Sequence, residues 1–341
     1  MKAMVWHGLY DLRYTDLPEP VCRAGWVKIK VMAVGLCATD VHIIAGKFDG
    51  GKPPHVLGHE ICGDIVEVGE GCDASLCGRR VVVETYVGCG ECEFCRSGRK
   101  HLCTAGEIGY PPYNGGEAQY VTVPQGCVRF IPDSMSYDEG AILEAVACPY
   151  GAVLNSGLKA GETVLVQGAG IAGLSFIQSA RAIGARVFCT ARNDVRLAMA
   201  RDYGAEVIDL RTTDPLEYIR RETGGLGVDL AIDAAGAPVT IAQCFEAVKS
   251  GGRVMLYGIP DAAAQITLPV TDCILRQITV CGYTGNQFAW DPLIELVDRG
   301  VIDVKSMVSA VMPLSKTAEA VKLLEGRDPH IVKIVLHPWD E

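Results

Sequence analysis

The chain has 341 residues, 49% of them hydrophobic and 21% charged, with a formal net charge of −10. This length predicts two domains, and the negative charge argues against a nucleic-acid or anionic-membrane surface. No apolar run is long enough to span a membrane, and the N-terminal residues lack a secretory signal pattern. The 15 cysteines, an odd number, fit a reducing compartment, so we expect a cytoplasmic protein without a disulfide framework.

The first part of the chain, to about residue 150, has the pattern of a mainly β domain. Residues 26–35 alternate apolar and basic side chains, as expected for a half-buried strand. Further strand-like runs, punctuated by glycine or proline, cover 60–69, 79–88 and 118–132. Many short strands separated in this way predict a barrel-like antiparallel domain.

Two segments of this β-rich part carry candidate metal ligands. "GLCATDVH" (35–42) contains Cys37, and "GHE" (58–60) contains His59 beside Glu60. A catalytic zinc needs few protein ligands, because a water or alkoxide must complete its shell. We therefore predict that Cys37 and His59 bind such a zinc.

The segment "ILEAVAC" (142–148) places Glu144 in an otherwise apolar stretch. A buried glutamate is costly unless it is paired or binds a metal. Glu144 is therefore a third candidate ligand. The alternative is a carboxylate at a helix start that faces solvent or a backbone N–H.

The strongest local motif is "GCGECEFCRSGRKHLC" (88–103). Its four cysteines are separated by two, two and seven residues: Cys89, Cys92, Cys95 and Cys103. Four thiolates close together favour a tetrahedral structural zinc, which leaves no open position for chemistry. An iron–sulfur cluster is the competing interpretation, but the surrounding sequence does not indicate electron transfer.

From about residue 150 to 260 the pattern alternates strand and helix, which predicts a parallel, doubly wound sheet. "VLVQGAGIAG" (164–173) follows its first strand with Gly168, Gly170 and Gly173. These glycines permit a turn, a close approach of pyrophosphate and tight helix packing, in that order. Ile171 and Ala172 begin the following helix, whose free N–H groups suit phosphates.

The end of the second strand of this sheet bears on the choice of dinucleotide. NAD sites place an acidic residue there for the ribose 2′-OH, whereas this chain has Ala191 followed by Arg192, with Arg196 close by. A small residue with arginines suits a 2′-phosphate, so we predict NADP. NAD remains the alternative, with Asp194 as the ribose partner.

The last part of the chain lies beyond the repeating βα units. Residues 290–302 have the pattern of a helix with one apolar side, and residues 330–338 that of a terminal strand. This tail is placed to return to the first domain.

Taken together, these motifs resemble those of the zinc-dependent medium-chain dehydrogenases, most closely the sorbitol/polyol branch with its threonine-dehydrogenase relatives. The resemblance covers nearly the whole chain and includes "GGEAQYVTVP" (115–124). It implies an α/β protein with a GroES-like, mainly β catalytic domain formed by 1–150 and 286–341, with a structural zinc lobe at 88–104. The Rossmann-type dinucleotide-binding domain would comprise 151–285.

The resemblance also implies roles for single residues. Cys37 and His59 would bind the catalytic zinc, with either Glu60 or Glu144 as a further ligand and Cys148 less favoured. Thr39 and His42 would carry the substrate proton to solvent while hydride passes to the nicotinamide. A homodimer or homotetramer is expected, acting on a small-molecule alcohol or polyol.

Two departures from the sorbitol branch concern substrate recognition. Ile43 stands where that branch has an aromatic residue, and residues 280–288 lack its arginine. Sorbitol itself is therefore disfavoured, and Tyr283, Asn286 and Gln287 are the alternative polar contacts. We predict an NADP-linked alcohol or polyol dehydrogenase. The alternatives are an amino-alcohol or threonine-type dehydrogenase, or a non-enzymatic cofactor-binding protein.

Overall fold

The structure is a computed structural model and describes residues 1–260 and 264–340. The chain divides into two compact units, the first formed by Met1–Ala145 with Trp290–Glu341 and the second by Val146–Ala289. The tail beyond the βα units thus belongs to the first unit. Within the described residues, no helix is long and apolar enough to cross a membrane.

The strands, in chain order, are β1 (Lys2–Gly8), β2 (Asp11–Asp16), β3 (Trp26–Leu36), β4 (Glu60–Val68), β5 (Arg80–Val83), β6 (Tyr120–Pro124), β7 (Val128–Phe130), β8 (Thr163–Gln167), β9 (Arg186–Ala191), β10 (Glu206–Asp209), β11 (Val228–Asp233), β12 (Val248–Leu256), β13 (Thr279–Gly282), β14 (Val308–Pro313) and β15 (Lys333–His337).

The α-helices are α1 (Ala38–Ile44), α2 (Glu93–Arg96), α3 (Tyr137–Ala141), α4 (Leu143–Asn155), α5 (Ile171–Ile183), α6 (Asp194–Asp202), α7 (Pro215–Glu222), α8 (Pro238–Ala247), α9 (Val270–Leu275), α10 (Trp290–Asp298) and α11 (Thr317–Glu325).

The first unit is built on a seven-stranded sheet in the order β14-β15-β3-β4-β5-β7, with β6 also paired to β3. Alternate residues of β3 are buried up to Val31, because one face of the strand packs on the apolar core and the other carries lysines. The strands predicted at 26–35, 60–69, 79–88 and 118–132 are confirmed, the last as β6 and β7.

One pairing of the first sheet differs from the predicted antiparallel domain. β14 and β15 are parallel, because α11 lies between them in the chain and provides the crossover that parallel strands need. β15 then pairs antiparallel with β3, so that Val335 lies opposite Gly35. A strand from the last ten residues of the chain therefore lies beside the central strand of the unit.

The second unit contains a six-stranded parallel sheet in the order β10-β9-β8-β11-β12-β13. Renumbered from its first strand, this order is 3-2-1-4-5-6, that of the dinucleotide-binding Rossmann fold. The central strands β8, β9 and β11 are almost completely buried, as expected when helices cover both faces. The predicted fold class, a doubly wound parallel sheet with a mainly β domain, is confirmed.

Candidate functional site

Three predicted metal ligands come together where β3 ends and β4 begins. Cys37 caps the N-terminus of α1, directly after β3, and His59 and Glu60 are adjacent at the start of β4. Strand register brings these ends together, since Glu60 pairs with Gly35. One ligand atom from each of Cys37, His59 and Glu60 lies within 4.8 Å of the others. The pair of motifs separated in sequence thus forms one cluster.

Asp40 supports the histidine of this cluster, although sequence analysis did not single it out. Its Oδ1 lies 3.4 Å from His59 Nδ1, while its Oδ2 accepts a hydrogen bond of 3.2 Å from the Cys37 backbone N–H. Burial alone lowers the pKa of His59, but Asp40, with Tyr110 and Cys37, outweighs it and holds that pKa well above its ordinary value. A carboxylate behind a histidine orients the ring of a metal ligand.

Glu60 has an equally specific partner in Lys333. Glu60 is fully buried, and Lys333 is only 3% exposed. Lys333 Nζ donates to Glu60 Oε1 and, at 3.2 Å, to the Leu36 carbonyl oxygen. Burial opposes the ammonium charge, yet the neighbouring Glu60 carboxylate raises the pKa of Lys333. The two buried charges therefore compensate one another.

The second oxygen of Glu60 is the one available to a ligand. Glu60 Oε2 has no hydrogen-bond partner among the described residues, although an unpartnered buried carboxylate oxygen costs free energy. A Cβ on Gly35 would lie 2.1 Å from this oxygen, so only glycine leaves room for it. A thiolate, an imidazole and a carboxylate oxygen are all donors that Zn²⁺ accepts. The residues present therefore fit a zinc ion.

Glu144 lies in the first turn of α4 and is buried. It is not a member of the cluster of Cys37, His59 and Glu60 that the described part of the chain forms. Its role as a ligand, and the exchange between Glu60 and Glu144, therefore stay predictions.

Thr39 and His42, the predicted proton relay, both lie on α1. The Thr39 hydroxyl is 3.6 Å from Cys37 Sγ, at the cluster, whereas His42 is exposed three residues further along the helix. Residues three apart share a helix face. Partial burial, with the charges of Lys47 and Arg327, lowers the pKa of His42. A ring that is neutral near neutral pH can accept a proton.

The four cysteines of the 88–104 lobe also form one cluster, with one sulfur from each within 4.8 Å of the others. Backbone N–H groups point at the sulfurs, for example Cys92 N to Cys89 Sγ at 3.3 Å and Cys95 N to Cys92 Sγ at 3.4 Å. Such donors stabilise thiolates, and they lower the pKa of Cys89 to about 6. The donor set of four sulfurs fits a tetrahedral zinc without an open position.

Ion pairs connect the lobe to the sheet of the first unit. Lys100 Nζ lies 3.0 Å from the buried Glu84 Oε2, which also accepts from Arg129 on β7 at 2.5 Å. The His101 ring packs edge-on against Tyr86 at 6.0 Å. Cys89 is exposed, whereas Cys92, Cys95 and Cys103 are partly buried.

In the second unit, the predicted glycine loop joins β8 to α5. Gly168 has φ +98°, a conformation that favours glycine, and a Cβ on Gly173 would lie 1.9 Å from the Gly168 carbonyl oxygen. Gly170 caps α5 without a side-chain hydrogen bond, so the first N–H groups of this helix face outward for an anion. Ile171 and Ala172 form its first turn.

A cavity of about 370 Å³ adjoins this loop. It is bounded by Gly168, Gly170, Ala191, Arg192 and Arg196, with Ala169, Thr190, Asn193, Leu210, Ala235, Ala237, Val239 and Thr240. Ile171, Ala172 and Gly173 are not among the lining residues. The cavity thus combines the glycine loop and both predicted arginines, and no carboxylate of the described residues 1–260 and 264–340 lines it.

The hydrogen bonds at the end of β9 explain how Ala191, the predicted small residue, comes to border the cavity. Thr190 turns toward the loop, where its hydroxyl donates to Gln167 Oε1 at 2.7 Å and accepts from Gly168 N at 3.2 Å. Ala191 is therefore the last strand residue at the cavity. Asp194, the alternative ribose partner, does not line the cavity and instead pairs with Arg211 at 2.5 Å.

The three alternative substrate contacts belong to the second unit. Tyr283 Oη accepts a hydrogen bond of 3.0 Å from Asn155 Nδ2, and burial raises its pKa to about 12. Asn286 is buried, and its Nδ2 has no partner among the described residues. Gln287 is half-buried. Their contact with substrate stays a prediction.

Fold and clusters together define a class: a nucleotide-linked dehydrogenase of the zinc type, with one metal cluster that has few ligands and one closed by four thiolates. Residues 172–299 match the family described as zinc-binding dehydrogenase, and residues 23–133 match the alcohol dehydrogenase GroES-like domain. The chain belongs to the zinc-dependent medium-chain dehydrogenase/reductase family, and it is an oxidoreductase of the alcohol and polyol dehydrogenase type.

Three similar proteins illustrate the family. The sorbitol dehydrogenase of Bacillus subtilis (strain 168) is 33% identical, over 99% of this chain and 97% of that protein. The L-threonine 3-dehydrogenase of Bacillus velezensis is 32% identical, over 99% of each. A structure from Sinorhizobium meliloti 1021, described as a zinc-binding dehydrogenase bound to NADP, is 31% identical over 99% of each chain, with a TM-score of 0.92.

Proposed function

We propose that this chain oxidises a secondary alcohol or polyol, or reduces the corresponding carbonyl compound, with NADP as the hydride acceptor or donor. The observation that carries this proposal is the cluster of Cys37, His59 and Glu60, with one carboxylate oxygen left without a partner. Cys37, His59 and either Glu60 or Glu144 would hold the catalytic zinc. Cys89, Cys92, Cys95 and Cys103 would hold the structural one.

When bound, the catalytic zinc supplies a Lewis acid that lowers the pKa of an alcohol hydroxyl. The protein's own part is to orient and to move a proton. Asp40 holds the His59 ring, and Lys333 holds one oxygen of Glu60. Thr39, beside Cys37, would accept the hydroxyl proton while giving up its own, and His42 would take up the released proton as a general base and pass it to solvent. A bound nicotinamide would supply the hydride acceptor or donor.

The preference for NADP is supported by the lining of the dinucleotide cavity. Arg192 and Arg196 border it beside Ala191, and no carboxylate does within the part of the chain that the structure describes. Arg192 is exposed and forms no ion pair within residues 1–260 and 264–340, so its guanidinium is available to a 2′-phosphate. The relative from S. meliloti with bound NADP agrees with this choice.

The substrate is tested by a panel of polyols, secondary alcohols and hydroxy amino acids, assayed with NAD and NADP and with a chelator control. We expect turnover of a polyol or secondary alcohol. The threonine-type alternative is supported by the relative named L-threonine 3-dehydrogenase, and turnover of a hydroxy amino acid alone would favour it.

The catalytic cluster is tested by His59→Ala. We expect turnover to fall about a thousandfold or more, which is the scale of several kcal/mol of lost Lewis-acid stabilisation, while NADP binding is retained. The matched control is His55→Gln, since His55 is also buried in the first unit but contacts the Tyr113 carbonyl oxygen instead. Equal activity of the two variants would overturn the assignment.

We further propose a homo-oligomer, joined through the free edge of the second sheet. β13 is the edge strand, and the neighbouring helix α9 exposes Ile274 and Leu275 at 68% and 78%. An exposed edge with apolar neighbours favours pairing with a second copy. Sedimentation of wild type and of Leu275→Asp tests whether the chain forms this homo-oligomer.

A reducing, cytoplasmic location is supported by the absence of any disulfide among the 15 cysteines of the described residues.

A further inference from the structure

Two carboxylates flank the strand end where the proposed 2′-phosphate would bind. Asp209 ends β10 and pairs in register with Ala191, the last residue of β9. Asp194 begins α6, between Arg192 and Arg196 in the chain. Neither aspartate lines the dinucleotide cavity, but a carboxylate near a dianionic phosphate would oppose its binding.

Arg211 forms hydrogen bonds with both of these carboxylates. Its Nη2 donates to Asp194 Oδ1 at 2.5 Å and to Asp209 Oδ2 at 2.7 Å, and its Nε donates to Asp209 Oδ1 at 2.9 Å. The pKa of each aspartate is lowered, chiefly by these side-chain bonds. Arg211 itself does not line the cavity. It can therefore reach the cofactor only through its neighbours.

The charges around the strand end show what this arrangement achieves. Arg192, Arg196 and Arg211 contribute three positive charges, and Asp194 and Asp209 contribute two negative ones, so these five side chains sum to about +1; Asp214 borders an adjoining cavity with Arg192 and would keep its charge when Arg211 is replaced. Without Arg211 the sum of the remaining four is about zero, and both carboxylates lose the hydrogen bonds that hold them in place. Asp194 would then also be free to accept a ribose 2′-OH, which favours NAD.

We propose that Arg211 is a specificity-determining positioning residue, which favours NADP over NAD by holding Asp194 and Asp209 away from the 2′-phosphate. This inference rests on the proposed preference for NADP, and it adds a residue from the loop after β10 to the arginines that line the cavity. The part played by Arg211 is indirect, because it removes a repulsion and makes no contact with the cofactor.

The experiment measures dissociation constants for NADP⁺ and NAD⁺ by calorimetry, in wild type and in three variants. Arg211→Gln should weaken NADP⁺ about five- to tenfold, because one or two carboxylates near the phosphate then lack their counter-charge. NAD⁺ should not be weakened by more than about twofold, since it carries no 2′-phosphate and the released Asp194 could accept its ribose 2′-OH. The triple variant Asp194→Asn, Asp209→Asn, Arg211→Gln should bind NADP⁺ at least as tightly as wild type. Arg201→Gln is the matched control, because it removes a positive charge from the exposed far end of α6.

Each result decides one question. If the triple variant binds NADP⁺ as weakly as Arg211→Gln, then Arg211 acts through its own charge and the inference fails. Equal weakening of both cofactors by Arg211→Gln would indicate a structural role and would also refute it. The proposed preference itself is judged by wild type alone: tighter binding of NAD⁺ than of NADP⁺ there would refute it. The effect of Arg211 on the ratio of the two dissociation constants, for NADP⁺ and NAD⁺, would still be decided by the variants.

Discussion

The buried pair of Lys333 and Glu60 makes a quantitative prediction about stability. Replacing Lys333 with methionine keeps the length of the side chain but removes the charge and both of its hydrogen bonds, to Glu60 and to the Leu36 carbonyl. Removal of one partner leaves the other charge uncompensated in the interior, which costs about 3–5 kcal/mol. The loss lowers the free energy of unfolding of the first unit, because both residues belong to it.

The assay can report on the first unit selectively. All four tryptophans lie in it, at positions 6, 26, 290 and 339, so their fluorescence in urea follows its unfolding. With a urea dependence of about 2 kcal/mol per molar, the predicted cost lowers the midpoint by about 1.5–2.5 M. The double variant Glu60→Gln, Lys333→Met carries neither charge of this pair, and it should recover more than about 1 kcal/mol of the loss.

The matched control is Lys28→Met on the neighbouring strand β3. Lys28 also pairs with a glutamate, Glu67 at 2.5 Å, but that carboxylate is 49% exposed. Exposed pairs contribute at most about 1 kcal/mol, so the midpoint should fall by no more than about 0.5 M. If Lys333→Met shifts the midpoint no further than Lys28→Met, the pair is not a compensated buried charge and the reasoning is refuted.

Three further predictions concern other parts of the chain. Cys95→Ser should lower the zinc content by about one ion per chain and unfold the 88–104 lobe, since a structural zinc contributes on the order of 10 kcal/mol to folding; unchanged zinc content and stability would contradict this. Arg192→Ala should weaken NADP⁺ about tenfold more than NAD⁺ in binding titrations, since a charge-assisted bond to phosphate contributes about 1.5–3 kcal/mol, and equal effects would exclude the clamp. His337 lies between Asp138 at 2.6 Å and Asp340 at 3.0 Å, and the bond to Asp138 is the main reason that its pKa is raised. Since the folded pKa exceeds the unfolded value of about 6.5, its contribution is complete below that pH and disappears as pH rises through the folded pKa. The stability difference between wild type and His337→Gln, measured in urea, should therefore be largest below about pH 6.5 and shrink as the pH rises above it, and a difference independent of pH would contradict the reasoning.

The features that could be predicted from sequence are those whose chemistry is local. The glycine loop needs three glycines within six residues, and the four thiolates fall within fifteen. Cys37 and His59 are further apart. Cys37 directly follows β3 and His59 directly precedes β4, and both strands can be predicted from their sequence pattern. Spacing within a turn or a strand end is determined by short-range backbone geometry, so these clusters follow from the order of residues.

The partners that were missed are those that strand pairing brings from far along the chain. Lys333 meets Glu60 across 273 residues, because β15 happens to pair with β3. No local rule fixes which distant strand becomes a neighbour. One signal was present, because a lysine within the apolar run 331–336 is costly unless it has a buried acidic partner. Asp40, three residues after Cys37, was similarly visible as a carboxylate in the first turn of a helix.

The discontinuity of the first unit has a consequence for synthesis on the ribosome. The second unit is continuous and ends at residue 289, so its sheet can form while residues 290–341 are still being made, which takes roughly 3–10 s. Throughout that time Glu60 lacks its counter-ion, since β15 is among the last segments to emerge. Brief proteolysis of stalled chains whose residue 289 has just left the ribosome should therefore leave the nucleotide-binding unit intact and cut the β-rich one.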